Sequence, residues 1–138
     1  MKQALAQIAI LVKDYDEAID YYTTKLGFEL VEDTILTADK RWVVVSPKGA
    51  SGAHILLAKA SSEKQSSAIG NQSGGRVFLF LSTDDFYRDY YAYLEMGVKF
   101  VREPNKTPYG TVAVFEDLYG NQWDLLEHVP GHRYYLGD

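Results

Sequence analysis

In the stretch FEDLYGNQWDLLEH, residues 115–128, one acid, Asp124, lies inside an apolar run just after a glycine turn. A carboxylate buried without a partner costs on the order of several kcal/mol, or it takes up a proton. Asp124 must therefore meet water, a donor, a cation or a ligand. Seventy residues earlier His54 opens a similar run, HILLA. An imidazole and a carboxylate facing one space have two uses. With a further donor and an open position they hold a divalent ion. With apolar walls around them they anchor a small molecule. Other chemistries lack support. There is no cysteine, which removes disulfides, thiolate nucleophiles and cysteine-ligated zinc. The motifs GxxxxGK[ST], GxGxxG and GxSxG are absent. A Ser/His/Asp grouping assembled from His54, Asp124 and the many serines has no support in the spacing.

The elements that must position these residues are written twice. QIAILVKDYDEAIDYYTTKLGFEL reads as strand, Asp, amphipathic helix, Leu-Gly and strand, and VFLFLSTDDFYRDYYAYLEMGVKF repeats that order. Asp14 and Asp84, Tyr21 and Tyr91, and Gly27 and Gly97 are each 70 residues apart, as are Trp42 and Val112, and His54 and Asp124. Self-similarity over half a chain is an architectural signal. Asp14 and Asp84 are expected helix N-caps, and Gly27 and Gly97 suit the left-handed residue after a helix. Ile19, Tyr22 and Leu26 form one apolar stripe; Phe86, Tyr90, Tyr93 and Leu94 form the other. Strands are expected at about 28–36, 41–47 and 53–59, and again at about 98–102, 110–116 and 122–128. REPNKTPYG, residues 102–110, reads as a loop able to close over a pocket.

Between the copies, KASSEKQSSAIGNQSGG (59–75) holds five Ser and three Gly without apolar periodicity and reads as a flexible connection. The chain is expected to be a single domain: module one about 1–60, a linker about 61–75 and module two about 76–138. Each module is βαβββ, so the fold class is α+β. A helix covers one face of each sheet. The bare faces predict two pseudo-symmetric modules whose curled sheets enclose a shared cavity.

Alternation assigns the inward faces. Gln7, Ala9 and Leu11 share one, opposite Ile8, Ile10 and Val12. Phe78 and Phe80 take that place in module two. His54 goes with Leu56 and Ala58, and Asp124 with Leu126 and His128. Trp42 stacks on a ligand if its register turns it inward. Trp123 points the other way, toward the helix. Arg41 reads as an ion-pair residue, His128 as a solvated strand end with the pocket mouth as its alternative, and His132 as surface.

The formal net charge is −5 and the Lys and Arg are scattered. That argues against nucleic acid and anionic membranes as partners. No apolar stretch approaches the roughly 18 residues of a membrane span, and the N-terminus reads as a strand rather than a signal peptide. A cytoplasmic protein is expected.

The paired modules, the Leu-Gly after each helix and the DLYGN turn resemble the vicinal oxygen chelate superfamily, which includes glyoxalase I, extradiol dioxygenases, fosfomycin resistance enzymes and bleomycin-binding proteins. RWVVVSPKGASGAHILLA looks like a bacterial glyoxalase-like group within it. In metal-using members, the resemblance implies, four inward side chains hold one divalent ion. Those positions fall here on Gln7, His54, Phe78 (or Val77 by the strict offset) and Asp124. The third is apolar, which departs from the metal-binding pattern. The resemblance also favours a homodimer, and the apolar tail residues Tyr134, Tyr135 and Leu136 give a local reason for one.

Two functions follow as expectations. The favoured one is binding of a small apolar or aromatic molecule, without cofactor or full metal cage. Gln7, Trp42, His54, Leu56, Phe78, Phe80, Asp124 and Leu126 would be its ligand-binding residues. The alternative is a divalent-metal-dependent lyase, isomerase or dioxygenase with Gln7, His54 and Asp124 as ligands. Whether the chain catalyses anything stays open, and no catalytic residue is assigned.

Overall fold

A computed structural model describes residues 1–49 and 51–137. The chain divides into two compact units, Met1–Gln72 and Ser73–Asp138. Their boundary falls inside the Ser/Gly-rich connection.

Unit 1 contains β1 (Gln7–Val12), α1 (Tyr15–Asp20) continuing as a π-helical turn (Tyr21–Lys25), β2 (Glu29–Ile35), β3 (Arg41–Ser46), β4 (His54–Lys59) and α2 (Glu63–Ala68). Unit 2 contains β5 (Val77–Ser82), α3 (Phe86–Glu95), β6 (Lys99–Thr107), β7 (Gly110–Glu116) and β8 (Gln122–His128). The sheets have the same topology, β1-β4-β3-β2 and β5-β8-β7-β6, with only the β1/β4 and β5/β8 pairs parallel. The α+β class and the pair of βαβββ modules therefore stand as the sequence predicts.

Each sheet has one face built for a helix. In unit 1, Ile10, Val12, Val43, Val45 and Leu57 are fully buried, as are Ala18 and Tyr22 from the helical segment. In unit 2, Phe115 stacks on Trp123 at 5.8 Å and meets Tyr93 edge-on at 5.5 Å. Burying one such side chain contributes about 1.5–3 kcal/mol, so these layers carry the stability of each unit.

Several details depart from the sequence expectations. Asp14 caps α1, its carboxylate accepting from the Glu17 N–H at 2.9 Å. In α3 the cap is Asp85, not Asp84: Asp85 accepts from the Arg88 N–H at 3.2 Å, and Asp84 pairs instead with the Arg88 guanidinium at 2.8 Å. Leu94, expected in the buried stripe, is exposed. The Ser/Gly-rich connection is not structureless. It forms α2, capped by the Ser62 hydroxyl, and the Gln72 side chain then docks on β1, accepting from Leu11 N–H at 2.7 Å and donating to the Ala9 carbonyl at 3.1 Å. The expected loop 102–110 is mostly strand: β6 runs to Thr107, paired with β7 across register shifts between Arg102 and Asn105. Pro104 lies in that irregular step, where a missing N–H breaks no ladder bond. Among the described residues no helix is long and apolar enough to cross a membrane.

Candidate functional site

Within FEDLYGNQWDLLEH the two inner aspartates have opposite duties. Asp117 is buried and holds the turn together. One carboxylate oxygen accepts from the Tyr119 N–H (3.1 Å) and the Asn121 N–H (3.0 Å); the other accepts from the Asn121 amide and the Trp123 indole N–H, both at 3.1 Å. The turn is thus anchored by an acid that the sequence reading passed over. The Asp-x-x-Gly-Asn spacing with a following Trp was the available signal.

Asp124 is half-buried and makes no hydrogen bond or close ion pair with a described residue. Burial pushes its carboxyl above the usual range, and the Arg102 charge opposes that rise. Strand pairing explains both effects. Asp124 sits between Phe80 on β5 and Val114 on β7, and Val114 pairs in turn with Arg102 on β6. One row across the open face of the sheet therefore reads Phe80, Asp124, Val114, Arg102. Phe80 is 67% exposed there. Leu126, flanked by Ser82 and Val112, forms the neighbouring row. Arg102 was not among the residues that the sequence singled out, because it lay in the supposed loop.

On the open face of unit 1, Gln7 pairs with His54, Ala9 with Leu56 and Leu11 with Ala58. Leu56 pairs with Val44, and Trp42 lies two residues from Val44 on the same side. The register thus turns Trp42 onto the same face as Leu56. At this end of the sheet is a cleft of about 590 Å³ lined by Leu11, Trp42, Leu56 and Ala58 from the open face and by Tyr15, Arg41 and Leu57 from the helix side, with Lys40 and Lys59 among its polar lining. Arg41, on the other side of the strand, is occupied. It pairs with Asp33 at 3.0 and 2.7 Å and with Asp16 at 2.9 Å, and lies 5.1 Å from the Tyr15 ring centre. These bonds hold the Asp33 carboxyl below its ordinary range.

The equivalence of His54 and Asp124 does not survive. The β3–β4 connection spans 47–53 and the β7–β8 connection 117–121, two residues fewer. Pairing Val44 with Leu56 matches pairing Val114 with Asp124, so the counterpart of Asp124 is Leu56. The counterpart of His54 is Gln122, which faces Val77. A register shift between Val77 and Leu79 leaves Phe78 as the extra residue of a bulge. That bulge is the physical source of the one-residue ambiguity over the third position.

Gln7 and His54 are cross-strand neighbours, yet neither side chain hydrogen-bonds a described residue. Asp124 has an aromatic and an aliphatic neighbour. Among the described residues no three His, Cys, Asp or Glu side chains gather as a metal site would need. Phe78 brings no donor to the third position, so Gln7, His54 and Asp124 offer three donors and not the four of a closed cage.

His128 is not a solvated strand end. It is buried, stacks on His132 with ring centres 4.3 Å apart, and its Nδ1 has no partner. Burial first, and His132 second, lower its basicity. His132, expected at the surface, is half-buried by this stacking, and its Nδ1 accepts from the Tyr134 N–H at 3.1 Å.

Comparison with known proteins is consistent with this geometry. The profile of the Glyoxalase/Bleomycin resistance protein/Dioxygenase superfamily matches residues 4–125. An uncharacterized protein of Shewanella frigidimarina is 62% identical over 92% of this chain and 95% of its own. Among solved structures, UcmS2 superposes with a TM-score of 0.78 at 33% identity, covering 91% of this chain and 98% of its own. TnmS3, an antibiotic binding protein from Streptomyces sp. CB03234, superposes with a TM-score of 0.75 at 29% identity, covering 94% and 98%.

Proposed function

The chain belongs to the Glyoxalase/Bleomycin resistance protein/Dioxygenase superfamily, and from that premise we propose that it binds a small, largely aromatic molecule without a resident metal. The observation that supports this reading best is the cleft of about 590 Å³ lined in part by Leu11, Trp42, Leu56 and Ala58, a volume within the range of small-molecule sites. Phe80 supplies a second, exposed apolar surface, and the side chains of Asp124, His54 and Gln7 have no hydrogen bonds to described residues. The antibiotic-binding relative supports a sequestering rather than a transforming role. We place this activity in the cytoplasm, in a homodimer.

Native mass spectrometry of the expressed protein, followed by tryptophan-fluorescence titration with whatever co-purifies, tests the reading. Trp42→Ala is expected to weaken the binding of an aromatic ligand roughly two- to tenfold, since a stacked aromatic pair is worth about 0.5–1.5 kcal/mol. The competing reading is a metal-dependent enzyme of the same superfamily. Near-stoichiometric Fe, Mn, Ni or Zn in tag-free protein, lost in His54→Ala, would establish it in place of ours.

A further inference from the structure

We propose that Arg102 selects the charge of the ligand: the open face of unit 2 takes an aromatic molecule whose ring lies on Phe80, whose acidic oxygen is held by Arg102, and whose hydroxyl donates to Asp124. The inference rests on the binding reading above and narrows it to hydroxylated aromatic acids.

The row Phe80, Asp124, Val114, Arg102 crosses all four strands of the sheet. Adjacent strands lie about 4.8 Å apart, which puts the Asp124 and Arg102 α-carbons roughly 10 Å apart and those of Phe80 and Arg102 roughly 14 Å apart. A fused two-ring system with substituents at opposite ends fits that span once the arginine side chain reaches inward. Val114, the residue between the two charges, is apolar and buried, at 3% exposure. Phe80 is the large aromatic surface left open on this face, at 67% exposure. Arg102 is exposed, and its side chain makes no hydrogen bond or ion pair with a described residue. Lys99, on the same edge strand, differs: it is paired with Glu116 at 3.6 Å. A guanidinium whose side chain has no partner, at the far end of a row that ends in an open aromatic ring, is equipped to bind an anionic oxygen through two parallel N–H donors. Asp124, when ionised, accepts only, so it calls for a donor on the ligand and repels a second anion placed next to it. Acid at the Arg102 end and hydroxyl at the Asp124 end is the arrangement both groups favour. The overall net charge of −5 works against anion binding, so a preference for the anion has to come from a local cation.

Three probes decide the matter at pH 7: 6-hydroxy-2-naphthoate, 6-hydroxy-2-naphthamide and 2-naphthoate, each titrated by calorimetry against the full chain. The hydroxy acid is expected to bind about tenfold more tightly than its amide, the difference one charge-assisted bond makes. Arg102→Gln, a change at an exposed side chain, should erase that difference, while Lys106→Gln on the same strand leaves it intact. Asp124→Asn should reduce the advantage of the hydroxy acid over 2-naphthoate, and Phe80→Ala should weaken all three probes alike. Equal binding of acid and amide by the natural protein, or a preference that persists in Arg102→Gln, overturns the inference and leaves the binding reading in place. Failure of every probe to bind overturns both.

Discussion

Asp117 and Asp124 lie seven residues apart on one turn and strand, and the environment separates them into a structural and a site residue. Asp117 accepts four hydrogen bonds inside the turn. Replacing it with Ala removes the acceptor of the bonds from the Asn121 amide and the Trp123 indole N–H, at a cost of about 2–4 kcal/mol. Asp124 has no such partners, so Asp124→Asn should leave the melting temperature unchanged or higher while weakening ligand binding. The pH dependence has a definite sign. The Asp124 carboxyl is raised by burial, so the folded state holds a proton that the unfolded state has already lost. Its contribution therefore worsens as pH rises from the ordinary carboxylate range through the folded value, and then stays constant. Melting curves of the two proteins should nearly coincide at about pH 3.5 and separate toward pH 7, with Asp124→Asn the more stable. A loss of several degrees at pH 7 would make Asp124 a structural residue instead.

At the scale of elements, α1, α3 and the strands apart from the second half of β6 were legible because sidedness has a short period. Ile8, Ile10 and Val12 alternate with Gln7, Ala9 and Leu11, and that alternation fixes which face meets the helix. Irregular steps hid the rest. Pro104 made a bulged strand read as a loop, and the strand contains Arg102. The two-residue difference between hairpins made constant spacing look like structural equivalence and paired His54 with Asp124. Serines in 61–67 read as linker, although Ser62 is a helix cap. The tail after β8 was the other misreading, and it carries a prediction. His128 is buried against His132, with its basicity lowered. The unfolded state binds a proton there more readily than the folded state, so stability is lost as pH falls from about 6.5 toward the depressed folded value. His128→Phe, which keeps a ring for stacking but cannot take up a proton, should flatten the melting temperature between pH 7.5 and pH 5. An unchanged slope in that variant would remove His128 as its source.

At the scale of the whole molecule, the proposal of a homodimer meets the composition of the surface. A chain of 138 residues with a net charge of −5 is mildly self-repelling, which apolar contact has to outweigh. The exposed apolar side chains are not scattered evenly. Tyr134 and Leu136 follow each other closely in the tail, each 57% exposed, and Ile35 ends an edge strand, β2, that is exposed along its whole length. Unpaired strand edges and contiguous apolar patches are what a second copy covers. Sedimentation at low micromolar concentration is therefore expected to give twice the chain mass of 15.6 kDa, and the melting temperature should rise with protein concentration. The doubly substituted chain Tyr134→Ser, Leu136→Ser separates folding from association. If the tail contributes to the interface, this variant dissociates at concentrations where the natural chain is dimeric, yet keeps the far-ultraviolet dichroism of the folded units. A natural chain that sediments only as 15.6 kDa would remove the dimer. A dimer untouched by the double substitution would move the interface away from the tail, with the β2 edge the next surface to alter.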